Sequence, residues 1–332
     1  MRTRFEIVLA DELDPADLRA AGEEAFDEIE RVEAQLSAHR DESELARLNA
    51  EAAARPVRVD ARFFSLLERA IELSSATDGT FDMTVGPLLK LWNISGGSAE
   101  AALPGDSTIT ISRATIGMRE MILLDRENNS VRFAKPGVRL DPGAIGKGYA
   151  LERAAKLLRE AGIVNALLHG GTSSVVALGS DSSATGETGW KIGIRKPDTG
   201  SSGAATGPSL LRKGKNTGRL ADTLLAEVIL RDGQSLSVSG FHGKSVDIGG
   251  KRIGHVIDPR SGRPVDTALL SAVISAMATD SDALSTGLLV LGAAGLDIIG
   301  AKRPDASLLV AEEMADGGVR VLSRGACFSV CG

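Results

Sequence analysis

Asp141-Pro-Gly-Ala-Ile-Gly-Lys-Gly-Tyr-Ala150 puts a carboxylate, three glycines and one lysine at an expected strand-to-helix turn. Its glycines allow the 143–148 backbone to expose N–H groups, and Lys147 adds a point charge, so the turn can cradle phosphate. A tight helix start with a solvated lysine is an equally good reading of the same residues. The spacing matches neither the P-loop nor the dinucleotide fingerprint, so the ATPase and Rossmann readings lose support. Strands and helices also mix along the chain without a regular βαβ rhythm, which makes the fold class α+β, with mixed sheets and helices.

Outward from this turn, residues 15–38 carry apolar residues at helical spacing, including Ala25, Ile29, Val32 and Leu36. A second helix is predicted from Ser43, and a third over 60–77, capped by Asp60 and ended by Asp78-Gly79. Residues 107–138 alternate apolar and polar, which predicts strands around an Asn128-Asn129 turn. Beyond the turn, helices are expected over 151–161 and 279–291. Strands are expected over 165–169, 224–230, 235–239, 269–276, 308–311 and 319–323. Residues 198–220, PDTGSSGAATGPSLLRKGKNTG, are rich in Gly, Ser and Thr and predict a flexible insertion loop. The whole of 1–332 otherwise reads as a single domain.

Composition narrows the function classes. Of 332 residues, 43% are hydrophobic and 25% charged, as in soluble globular proteins. A net charge of -6 argues against broad nucleic-acid binding, which needs a basic surface. Aromatics make up only 3% while Gly numbers 38, which favours backbone-lined pockets over stacking platforms. No apolar run approaches a membrane span. The opening residues lack a signal-peptide pattern, so the expected compartment is the cytoplasm as written, or periplasmic or membrane-anchored if a leader has been removed. Cys327 and Cys331 lie in the last six residues with no further soft ligands nearby, and receive no catalytic role.

Asp282-Ala-Leu-Ser-Thr286 sets a carboxylate and a hydroxyl at i and i+4, on one face of a predicted helix. An all-oxygen set suits Mg²⁺ better than zinc. The plainer reading is that Thr279 or Asp280 caps this helix and Thr286 packs. His255 is one of four histidines. As a neutral imidazole it could take a proton from an attacking hydroxyl, or merely bond a loop carbonyl. Asp82 could accept hydrogen bonds from a ligand ring edge, or cap a helix.

Taken in order, these segments resemble the FAD:protein FMN transferase (ApbE) family over nearly the whole chain. Met1-Arg-Thr-Arg-Phe-Glu-Ile7 is similar to MGTxFxI, and Leu36–Asn49 is similar to LSxYxxxSELxRxN. Gly79-Thr-Phe-Asp-Met-Thr-Val-Gly-Pro-Leu88 resembles GxFDxTVGPL, and the 141–150 turn resembles DLGxIAKGYA. His255-Val-Ile-Asp-Pro-Arg-Ser-Gly-Arg-Pro264 resembles HIIDPxTGxP, and residues 282–286 resemble DALAT.

The resemblance implies an ApbE-like fold with FAD between two halves. It also implies a Mg²⁺-dependent cleavage of the FAD pyrophosphate, which passes FMN to a threonine of an acceptor flavoprotein and releases AMP. By motif position, the metal would be held by the Ala144 carbonyl, Asp282 and Thr286, with Ser285 as a further candidate. FAD contacts would include Phe81, Asp82, Asp141, Lys147 and Ile257, together with Met1, His39 and Thr80. His255 matches the expected base. The chain departs from the family pattern at Arg2, His39, Thr172, Val238–His242 and Gly254. An FAD pyrophosphatase and a non-catalytic FAD-binding protein are the alternatives.

Overall fold

A computed structural model describes residues 3–38, 40–94, 103–181, 188–197, 208–210, 223–240, 245–248 and 251–331. Among these, the largest sheet has seven strands, and their order in space follows their order in the chain. They are Phe5–Leu9, Ala166–Gly170, Ser174–Leu178, Ser235–Gly240, Leu270–Ser275, Ser307–Glu313 and Val319–Arg324. Every neighbouring pair is antiparallel. The class is α+β, as the missing βαβ rhythm predicts.

Alternation along the strands divides the core in two, because successive side chains point to opposite faces. Val176 and Leu178 face the helices, while Val175 and Ala177 face away. Leu308 and Val310 against Leu309 and Ala311 repeat the pattern. On the helix side lie Pro15–Leu36, Ala61–Ala76, Gly146–Glu160 and Ala278–Leu291. The opposite face packs on a four-stranded sheet that includes Trp190–Arg195 and Leu224–Leu230. Trp190 fills that second core and donates its indole N–H to the Leu178 carbonyl at 2.8 Å.

Three helices begin close to where the sequence places them, whereas the one expected over 151–161 starts earlier, at Gly146. Asp14, Ser43 and Asp60 each accept a backbone N–H of the helix they precede, relieving one orphan donor. Glu28 is buried in the seam between three helices, with Arg153 at 2.9 Å, Arg62 at 3.6 Å and Arg31 beside it. A buried carboxylate is tolerable only when paired in this way.

One expectation fails. The alternating run from 107 begins as a helix, Asp106–Arg113, and only 122–125 and 130–133 form strands. Ile109 is drawn onto Leu88 and Trp92, and Ile111 on the other side of the helix is left 72% exposed. Tertiary contact at one residue outweighs the β-propensity of Ile and Thr here. The predicted 198–220 loop lies outside the described residues except for Pro208–Leu210, an edge strand paired with 190–195. No helix among the described residues is long and apolar enough to cross a membrane.

Candidate active site

The site forms where the 141–150 turn meets the 278–291 helix. Gly146–Glu160 starts at the turn, so Lys147 and Gly148 lie in its first turn. The Gly148 N–H donates to Asp282 Oδ2 at 3.0 Å, and Lys147 Nζ lies 3.3 Å from Asp282 Oδ1. Ser174 Oγ donates to Asp282 Oδ1 at 3.2 Å. This approach requires glycine: a Cβ at 148 would fall 2.0 Å from the Ala278 carbonyl oxygen and 2.8 Å from Asp282 Cβ. Two segments 134 residues apart in sequence are thereby locked backbone to carboxylate.

Thr286 stands one turn after Asp282 and is the one partly exposed residue of 281–286. Its hydroxyl lies 3.4 Å from the Asp282 carbonyl oxygen. Ser285 is placed differently. It is fully buried, donates to the Asp282 carbonyl at 2.9 Å, and touches Ser239 Oγ at 2.9 Å. The helix is not capped by Thr279 or Asp280. Its N-terminus instead receives Glu152, which accepts the Thr279 N–H at 3.0 Å, while Asp280 binds Arg69 and Arg303.

The segment around Thr80–Leu88 meets the same turn from the other side. The Asp141 N–H donates to the Met83 carbonyl at 2.7 Å, and Val85 bridges Arg139. Thr80 is buried, and its hydroxyl is directed at the carbonyls of Thr77 (2.7 Å) and Gly287 (3.1 Å), which ties this segment to the 278–291 helix. Phe81 is buried in the main core. Asp82 is buried as well. Its carboxylate accepts the Thr84 N–H at 2.7 Å, the Thr84 hydroxyl, and the Met118 N–H at 3.1 Å. Burial pushes its pKa up to about 6, against those stabilising hydrogen bonds.

The 255–264 hairpin docks on this segment. Ile257 is buried with Leu88, Trp92 and Ile109, and Trp92 Nε1 donates to the Gly262 carbonyl at 2.8 Å. His255 is half-buried at the start of the hairpin, just after Lys251–Gly254. The Asp141 carboxylate accepts the Gly143 N–H at 2.8 Å, shaping the turn. Ala144 sits in that turn with its side chain against the helix-side core. Met1 and His39 lie outside the described residues.

The structure adds residues that pattern reading did not single out. Asn49 donates to the Leu140 carbonyl at 3.0 Å and accepts the Leu140 N–H at 2.7 Å, clamping the backbone just before Asp141. Ser174 and Ser239 reach Asp282 and the Ser285–Thr286 pair from two strands. The alternation Ser235, Ser237, Ser239 was the available signal, since hydroxyls on a core face need partners.

The donor set is all oxygen. Among the described residues no group of three His, Cys, Asp or Glu side chains is placed to hold a metal. A cation here would therefore rely on one carboxylate with hydroxyl and carbonyl oxygens, which fits Mg²⁺ retaining water and binding substrate phosphate.

The comparisons with known proteins agree with this architecture. The ApbE family model matches residues 1–309. The FAD:protein FMN transferase of Treponema pallidum is 34% identical over 287 residues, covering 83% of this chain and 73% of that protein. One from Klebsiella pneumoniae is 32% identical, over 82% of this chain and 76% of that protein. The crystal structure of the ApbE protein of Thermotoga maritima superposes with a TM-score of 0.77 at 27% identity, covering 96% and 93% of the two chains. The flavin transferase ApbE of Vibrio cholerae shares the fold, with a TM-score of 0.79 at 24% identity, over 97% and 94%. With the family model spanning residues 1–309, most of its length, this chain belongs to the ApbE family.

Proposed function

We propose that this protein is a Mg²⁺-dependent FAD:protein FMN transferase. The observation that carries the reading is the meeting of Lys147, the Gly148 N–H and Asp282 at one point. It joins a phosphate-type turn to an oxygen-donor helix face. Its curated relatives carry the same activity in their names.

FAD is the substrate, with its pyrophosphate along the 143–148 turn. Asp282, Thr286 and the Ala144 carbonyl would hold the cation, with Ser285 behind them. A Mg²⁺ ion held by these residues would offset the charge that redistributes over the pyrophosphate. Lys147 lies within reach of the same charge and can pair with a phosphate oxygen. The acceptor is a threonine hydroxyl of a partner flavoprotein. Its oxygen attacks the phosphorus on the FMN side, the bond from that phosphorus to the bridging oxygen breaks, and AMP departs. His255 takes the threonine proton, a contribution typically worth ~10²–10⁴-fold. Asp82 and Asn49 keep the two flanking segments in place.

The test is AMP release from FAD by the full chain, with and without Mg²⁺ and with and without a threonine-containing acceptor. Mg²⁺-dependent AMP release with FMN covalently on the acceptor is the expected result. Free FMN with an unmodified acceptor would assign hydrolysis instead. FAD binding with no AMP release would leave a flavin-binding protein.

A further inference from the structure

We infer that Ser174 and Ser239 are positioning residues for the cation-binding side chains, an inference that rests on the metal assignment above. The strands Ser174–Leu178 and Ser235–Gly240 pair antiparallel, with Ser237 opposite Ser174. Ser235, Ser237 and Ser239 alternate with Leu236 and Val238, which face the second core. Their hydroxyls therefore stand on the helix side, under Ala278–Leu291. At one end of this seam Ser235 Oγ lies 3.0 Å from Ser281 Oγ, which in turn lies 3.3 Å from Ser237 Oγ. No residue of the cation set takes part there. At the other end, Ser239 Oγ lies 2.9 Å from Ser285 Oγ and 3.4 Å from Thr286 Oγ1. Ser174 donates to Asp282 at 3.2 Å.

The proton accounting gives these contacts a direction. A hydroxyl has one proton and two lone pairs. Ser285 donates to the Asp282 carbonyl, so it can accept from Ser239. Thr286 Oγ1 lies 3.4 Å from both Ser239 Oγ and the Asp282 carbonyl oxygen, so its one proton points back into the helix–strand seam. A threonine that donates backwards turns a lone pair outwards, which is the orientation a cation requires. Ser174 acts on the carboxylate instead. With the Gly148 N–H on Oδ2 and Ser174 on Oδ1, Asp282 is held at both oxygens while each keeps acceptor capacity. Outer partners of this kind typically set metal affinity by roughly 10–100-fold.

A packing role alone would make all these serines equivalent, since all are small hydroxyls in one seam. The experiment is calorimetric titration of Mg²⁺ into the full chain and into Ser174→Ala, Ser239→Ala, Ser239→Thr and Ser237→Ala, with Tm recorded for each. Ser174→Ala and Ser239→Ala are expected to weaken Mg²⁺ binding about tenfold. Ser239→Thr should restore it, and Ser237→Ala should lower Tm with Mg²⁺ affinity unchanged. Unchanged affinity in both alanine variants, while the parent chain binds Mg²⁺, would overturn the positioning role alone. Equal weakening by Ser237→Ala would do the same. If the parent chain binds no Mg²⁺, the metal assignment falls and takes this inference with it.

Discussion

Asp280 and Asp282 are two residues apart on one helix, both buried, and they do different work. Asp280 has no exposure and is gripped by Arg69, with Nε at 2.8 Å, and by Arg303 at 2.8 Å. The pairing is mutual, and the Asp280 carboxylate raises the Arg69 pKa. Asp282 faces a backbone N–H, a serine hydroxyl and a single lysine. Guanidinium forks on a carboxylate saturate it with fixed geometry, whereas a lysine is a mobile point charge that can move to another anion. A third carboxylate, Asp82, is held by hydrogen bonds from Thr84 and Met118, with no ion pair among the described residues. Burial raises its pKa to about 6. Burial is common to all three carboxylates, and what sets Asp282 apart is a partner that can exchange.

The sharpest way to break this contrast is to remove each acid in turn. Asp282→Ala should cut Mg²⁺-dependent AMP release from FAD at least about 10²-fold while leaving the fold intact by circular dichroism. Full activity in that variant would end the metal assignment. Asp280→Ala should do the reverse. It leaves two guanidinium groups without their shared anion and should cost about 3 kcal/mol in urea unfolding, with the folded fraction still active.

Lys147→Gln should separate the two roles of the lysine. It removes a cation that competes for Asp282, so Mg²⁺ affinity measured without FAD should rise several-fold, while KM for FAD also rises. Parallel weakening of both would mean that Lys147 orders the turn and does not compete.

Asp82 supplies a pH test. Its folded pKa of about 6 exceeds the ordinary 3.8, so the folded state holds this proton more tightly. That contribution to stability is complete below about pH 3.8 and is lost as pH rises through about 6. His169 opposes it. Burial lowers its pKa below 6.5, so its contribution is lost as pH falls through that range. The Tm difference between the parent chain and Asp82→Asn should therefore grow in favour of the parent as pH drops from 7 to 5. The smallest effect belongs to Glu72, an exposed partner of the same Arg69. Glu72→Gln should change stability by no more than about 0.5 kcal/mol, because water screens the pair.

Two local features of the candidate site were legible in the sequence. The i,i+4 spacing of Asp282 and Thr286 and the glycine pattern around Lys147 are local signals, and local geometry follows from helix periodicity and from the steric freedom of glycine. Ser43 and Asp60 announced their helices in the same way. The misread run from 107 failed because Ile109 answers to Trp92 and Leu88, not to its neighbours in sequence. Asn49 escaped notice as a clamp because its partner, Leu140, lies 91 residues away.

Periodicity, caps and turn chemistry act over a few residues, and from them came the α+β class, several helix starts and the identity of the acidic and basic groups. Which acid meets which base was set elsewhere. Asp280 and Asp282 have similar neighbours in the chain, yet one turns towards Arg69 and Arg303 and the other towards Gly148 and Lys147. Helical rotation of about 100° per residue sends them to different sides of the helix. What waits on each side depends on packing between segments that no local rule connects.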